Sequence, residues 1–135
     1  FLKILLGDQM NALKMEEFVN LDSSELLKKC DQIRHKCIEL GVKWAEAHKH
    51  YKDLKELMPS KLAACQISMM LPGVKDSTAK ISALSCDEYQ NELRKMNAAE
   101  FEAELLHVEY RAWMRSLEVL TSIGYVKNQE MKLAR

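Results

Sequence analysis

Histidine side chains are the first candidates for catalysis or metal binding in this sequence. His48 and His50 flank Lys49, but residues two apart point to different sides of a helix, and a metal-binding pair on a helix needs i, i+4 spacing. A solvated surface is therefore favoured for both. His35 and His107 have no visible nucleophile that they could serve as a general base.

Glutamate side chains form the second candidate set. They alternate along one segment and are Glu100, Glu102, Glu104 and Glu109. This spacing spreads them around a helix, whereas general acid and base catalysis requires carboxylates that converge in a pocket. The sequence also contains no glycine-rich phosphate loop and no clustered metal ligands. It therefore predicts a protein that is not an enzyme, with no catalytic residue, no metal and no cofactor.

The cysteines are the remaining reactive side chains. Cys30 and Cys37 lie one heptad apart on one face of a predicted helix, too far along its axis to bridge each other. We expect all four cysteines, Cys65 and Cys86 included, to be small buried thiols in a reducing cytoplasm.

Lysine side chains could bind phosphates. The chain has 20 basic and 20 acidic residues, so any polyanion site must be a local patch. The basic residues concentrate on the first half, whereas most of the compensating acid lies on the second. Two explanations stay open: charge matching between two helices, or a basic rim that an oligomer repeats into a phosphate-binding surface. The candidate nucleic-acid-binding residues are Lys49, Lys52, Lys55, Lys61 and Lys127.

Two long helices must position these side chains. An apolar seam of alternating four- and three-residue steps predicts the first helix, over 22–71, with a possible break at Pro59. Asp22 and Glu25 have the spacing of an N-terminal capping box. The seam consists of Leu26, Cys30, Ile33, Cys37, Leu40, Trp44, Ala47, Tyr51, Leu54 and Met58.

The second half repeats this organisation after a connector over 72–84. Ser85 and Glu88 resemble a second capping box, and the helix should run over 85–123 with Gly124 at its C-cap. A tail over 124–135 follows, either a flexible contact for partners or a frayed end. The second seam consists of Tyr89, Leu93, Met96, Ala99, Ala103, Leu106, Tyr110, Trp113, Leu117 and Leu120.

Together these elements predict one all-α domain over 1–135, a long antiparallel helical hairpin. A lone hairpin leaves part of each seam in water, so we expect it to assemble into an oligomeric helical bundle or ring. Core packing of the aromatic rings is favoured over stacking on bases. The lead over 1–21 opens with an apolar run too short for a signal or membrane anchor. The expected oligomer interface consists of Leu40, Trp44, Tyr51, Tyr110, Trp113 and Leu117.

The order of these features resembles the phage UvsY-like recombination mediator family over about residues 17–135. The resemblance is carried by the capped segment 19–26 (VNLDSSEL), the Lys43-Trp44 pair followed by His48 and Lys49, a long helix ending near Gly73, and the stretch 110–127.

This resemblance implies a helical, ring-forming protein of the host cytoplasm. Its implied partners are single-stranded DNA, a RecA-like recombinase and a single-strand-binding protein. The sequence departs from the family where basic residues late in the first helix would contact DNA, because 63–70 contains none. A second hypothesis is therefore an oligomeric helical adaptor that binds a protein partner without nucleic acid. A third, an enzyme with a pocket between subunits, has no candidate residue.

Overall fold

The computed structural model of the chain describes residues 21–70 and 72–134, and all regular secondary structure in this part is helical. The helices are α1 (Ser23–Ser68), α2 (Asp76–Leu84) and α3 (Asp87–Leu133). The prediction of an all-α protein is confirmed over these residues. The expectations for the N-terminal lead, apart from Leu21, lie outside the described part of the chain.

Helix α1 begins with the capping box that the sequence predicts. The backbone N–H of Glu25 donates to Asp22 Oδ1 at 2.8 Å, and the N–H of Asp22 donates back to Glu25 Oε2 at 3.4 Å. The helix continues through Pro59, where the sequence allowed a break but did not require one. Proline removes one helical hydrogen bond, and α1 continues despite that loss.

The connector is more ordered than the sequence indicates. Helix α2 occupies most of it, and Ala79 and Ala83 are among the most buried residues of the chain. Gly73, in the turn before α2, has a positive φ of 88°. Glycine adopts this backbone conformation readily because it has no Cβ, which explains its place at the turn. Alanine side chains bring little hydrophobicity, which explains why the periodicity of this segment is weak in the sequence.

Both predicted ends of α3 require correction. The Ser85 hydroxyl donates backwards to the Ser82 carbonyl at 3.0 Å, so it does not cap α3, which begins at Asp87 with Cys86 as its N-cap residue. The helix also continues through Gly124 to Leu133. A glycine inside a helix lowers its stability by only about 1 kcal/mol relative to alanine. Tertiary contacts beyond Gly124 can offset this loss.

The described residues fall into two compact units. In the first, which contains 21–44 and 105–134, Leu26, Ile33, Cys37 and Leu120 form the buried cluster. Ser23 contacts Met131 and Trp44 contacts His107, so the two helix segments of this unit run in opposite directions. The predicted seam from Leu26 to Leu40 therefore faces the core of its own chain.

The second unit spans Ala45–Glu104 and has a core of small side chains. Small residues permit close approach of helix backbones, and they take the place of the large apolar residues that usually fill a core. Its buried residues are Cys65, Ala79, Ala83, Ala99 and Ala103.

Candidate functional site

Three lysines of α1 form an exposed row in the second unit. Lys49, Lys52 and Lys55 follow one another at intervals of three residues, so each step rises about 4.5 Å and the row sweeps about 120° around the helix. Lys55 Nζ lies 5.9 Å from the centre of the Tyr51 ring, within the range of a cation–π contact. We call these three residues the lysine row.

The charges of the lysine row are not neutralised by ion pairs within the part of the chain that the structure describes. The ion pairs found there are Arg34–Asp31, Lys43–Glu39 and Lys95–Glu92, all between neighbours on one helix. Exposed pairs of this kind contribute little to stability. The lysine row therefore presents three ammonium groups that a phosphate backbone could contact.

Lys43 is the contrasting case among the cations of α1. Its Nζ donates to Glu39 Oε1 at 3.0 Å. That hydrogen bond, together with the positive charges of Lys36 and Lys43, lowers the pKa of Glu39 below its ordinary value. Glu39 thus stays ionised at neutral pH and offsets part of the positive charge around Lys43.

The other two predicted nucleic-acid-binding residues have different surroundings. Lys61 is exposed, one turn before Cys65, and lines a groove with Glu88 and Glu92. The half-buried Lys127 donates a hydrogen bond from Nζ to the backbone carbonyl of Leu21. Lys49, Lys52 and Lys55 thus stay exposed on neighbouring turns of α1, whereas Lys127 joins α3 to the start of α1.

The residues predicted to form the oligomer interface make contacts inside the chain. Leu40 is only 2% exposed. The rings of Trp44 and His107 stack with centres 4.7 Å apart, and Tyr110 lies 6.3 Å from Trp44 at an interplanar angle of 9°. Tyr110, Trp113 and Leu117 pack against the buried cluster of the first unit.

Tyr51 and Trp113 complete this set. The Tyr51 ring lies 6.3 Å from His48, in the second unit. Trp113 Nε1 is a buried donor without a hydrogen-bond partner among the described residues. An unsatisfied indole N–H costs stability, so Trp113 is held in place by the packing of its ring.

A second apolar row lies on α3, and it passes from half-buried residues to exposed ones toward the C-terminal end of the helix. It repeats every seven residues, so successive members are displaced by only about 20° around the helix. Val126 is 54% exposed and Leu133 is 87% exposed. We call it the outer row; it consists of Leu105, Ala112, Val119, Val126 and Leu133.

The sequence interpretation found only part of the outer row. The predicted second helix, over 85–123, includes Leu105, Ala112 and Val119. Because the interpretation ended that helix at 123, it did not extend the row to Val126 and Leu133. The unbroken seven-residue spacing was the available signal.

Candidate catalytic and metal-binding groups do not converge. Within residues 21–70 and 72–134, no group of three histidine, cysteine or acidic side chains could hold a metal ion. Glu102 and Glu104 are exposed, and Glu100 and Glu109 are half-buried on the same helix. None of the helices described is long and apolar enough to cross a membrane.

The structure therefore defines an all-α protein with a cationic row on α1 and an outer apolar row on α3. Neither a protein-family model, nor a curated protein, nor a solved structure matches this chain.

Proposed function

We propose that this chain is a non-enzymatic assembly protein that binds single-stranded DNA, with the lysine row as its contact to the phosphate backbone. The exposed row of three lysines without ion pairs is the observation that carries this proposal. Each lysine that neutralises a phosphate releases a counterion, so binding depends on salt and not on base sequence.

Assembly of several copies strengthens this weak site. The net charge of the chain is zero, and three lysines alone give little affinity. Copies joined in a helical bundle or ring would present the lysine row repeatedly to one strand, and linked weak sites bind far more tightly than single ones. The outer row of α3 supplies an apolar surface for such packing of hairpins.

The resemblance to UvsY-like mediators supports the most specific form of the proposal. In that form the protein loads a RecA-like recombinase onto single-stranded DNA covered by a single-strand-binding protein, in the host cytoplasm. The absence of basic residues from 63–70 moves the proposed DNA contact earlier in α1, to the lysine row.

The DNA-binding proposal is tested by fluorescence anisotropy of a labelled oligothymidine and of a matching duplex. We expect preferential binding of the single strand. Replacing Lys49, Lys52 and Lys55 by alanine should weaken it on the order of tenfold and reduce the slope of log K against log salt by about 2, since each lost contact to a single strand contributes about 0.7.

A matched variant controls for the loss of charge alone. Replacing Lys28, Lys29 and Lys132, which are also exposed, removes the same charge elsewhere and should change affinity much less. Equal losses in the two triple variants would show that the lysine row is not a site. Absence of binding at low salt would refute direct DNA binding.

The assembly proposal has a separate test in sedimentation velocity. We expect the natural protein to sediment as an oligomer, and Val126→Glu to shift it toward smaller species because a charge enters the apolar interface. Tyr125→Glu is the control, since Tyr125 is 65% exposed but lies off the outer row. A monomeric natural protein, or equal effects of the two variants, would contradict this assignment.

A helical adaptor that never binds nucleic acid is the second candidate. Zero net charge and the outer row favour it. The adaptor would be favoured over the DNA-binding protein by two results together. The protein would form oligomers that Val126→Glu disrupts, and it would bind neither the single strand nor the duplex.

A further inference from the structure

Two cysteines of the second unit lie at the end of α1 and at the start of α3. Cys65 lies in the last turn of α1 and is 4% exposed. Cys86 is the N-cap residue of α3 and is half-buried. Neither the proposed DNA contact nor the outer row uses these thiols.

The fold places Cys65 against the start of α3, next to Cys86 in sequence. A groove of about 340 Å³ is lined by Cys65 from α1 and by Glu88 and Tyr89 from the first turn of α3, so Cys65 faces the helix start that Cys86 precedes. Cys86 directly precedes this first turn, as the N-cap residue of α3. Burial, and after it the neighbouring Cys86 and the charge of Glu88, raise the pKa of Cys65 above its ordinary value.

We propose that Cys65 and Cys86 are a dithiol pair that closes into a reversible intramolecular disulfide. The bond would tie the end of α1 to the start of α3. Helix α2 lies wholly between the two cysteines in sequence, so the closed loop would contain it. Closing a loop restricts the unfolded chain, and the oxidised protein should therefore resist unfolding more than the reduced protein.

The chemistry requires an oxidant, for which a small-molecule disulfide such as oxidised glutathione is sufficient. The more accessible Cys86 attacks the oxidant as thiolate, forms a mixed disulfide and releases one glutathione thiolate. Cys65 then loses its proton to solvent, attacks the Cys86 sulfur and releases the second glutathione thiolate. Both released thiolates take up a proton, so two cysteine thiols are oxidised while one glutathione disulfide is reduced to two thiols.

The raised pKa of Cys65 affects the second step. Only its thiolate attacks, so closure should accelerate as pH rises toward that pKa. The charged and titratable side chains that line the groove beside Cys65 are Lys61, Glu88, Tyr89, Glu92 and Lys95, and Cys86 also acts on the pKa of Cys65.

The test is peptide mapping of the full-length protein after equilibration in glutathione redox buffers. Free thiols are alkylated, the chain is cleaved with trypsin, and the peptides are identified by mass spectrometry. We expect peptides 62–75 and 81–94, which contain Cys65 and Cys86, to be joined with the loss of two hydrogen atoms. Cys30 and Cys37 should be recovered alkylated after unfolding, and dithiothreitol should reverse the link.

Two outcomes would overturn the proposal. One is stable glutathione on Cys86 while Cys65 remains free for alkylation. The other is a disulfide that joins two copies, seen as a dimer on a non-reducing gel.

A second measurement tests the disulfide without a substitution at a fully buried residue. We expect oxidation to raise the melting temperature of the natural protein, and Cys86→Ser, a conservative change at a half-buried site, to abolish that rise. An equal rise in the Cys86→Ser variant would show that another bond or modification is responsible. Failure of DNA binding or assembly would leave this result unchanged, because it requires neither.

Discussion

Replacing Leu120 by alanine is expected to lower the free energy of unfolding by about 2–5 kcal/mol, the usual cost of removing a large aliphatic side chain from a core. Leu120 is 0% exposed and lies in the cluster with Leu26, Ile33 and Cys37. The substitution removes buried apolar atoms and leaves a cavity that the two helices can only partly close. Urea titration followed by circular dichroism at 222 nm measures the loss.

Leu27→Ala is the matched control for Leu120→Ala. Leu27 is the same residue type in the same unit but is 68% exposed, so its removal should change the free energy of unfolding by less than about 0.5 kcal/mol. The comparison is made at one protein concentration, because any assembly couples stability to concentration. Similar losses in the two variants would show that Leu120 does not belong to the core.

Replacing Gly41 by valine should be destabilising by about 1–3 kcal/mol, although valine is the better helix-forming residue. A Cβ at Gly41 would lie 3.2 Å from Tyr110 Cε2. The Tyr110 ring cannot move away freely, since it is stacked near Trp44, which in turn stacks on His107. The branched valine side chain should therefore displace the aromatic stack, and near-ultraviolet circular dichroism should report the change.

The remaining glycine of the helical segments provides the control for Gly41. A Cβ at Gly124 would meet nothing within 4 Å, so Gly124→Val should be neutral or stabilising. Gly41→Ala is expected to fall between the two, because its gain in helix propensity of about 1 kcal/mol opposes the close contact with Tyr110. A stabilised Gly41→Val variant would mean that the stacked rings of Tyr110, Trp44 and His107 can move to make room for valine.

Local features of the sequence were predicted well. The Asp22–Glu25 capping box and the seam from Leu26 to Leu40 depend on residues within a few turns of one another. Periodicity shows which face of a helix is buried, because that face must collect the apolar side chains. It also placed the cations of Lys49, Lys52 and Lys55 on α1, where all three are exposed.

The failed predictions concern positions where another contact outweighs the preference of the residue type. Ser85 has the residue type of a cap but donates to Ser82 in the preceding turn. Gly124 has the residue type of a helix end, yet α3 continues beyond it, where Lys127 bonds to Leu21 and Met131 contacts Ser23. The two contacts beyond Gly124 join residues 106 and 108 positions apart in the chain, so no local pattern could reveal them.

The sequence by itself therefore determined an all-helical chain, the start of its first helix and the buried face of that helix, because backbone hydrogen bonding and apolar periodicity act over a few residues. Only the tertiary structure decided which surfaces remain available. It packed Trp113 and Tyr110 against the buried cluster of the first unit, left Val126 and Leu133 exposed and brought Cys65 to the first turn of α3. The physical reason is that the register between two helices is fixed by interlocking side chains distant in sequence, and that fit exists only in the folded chain.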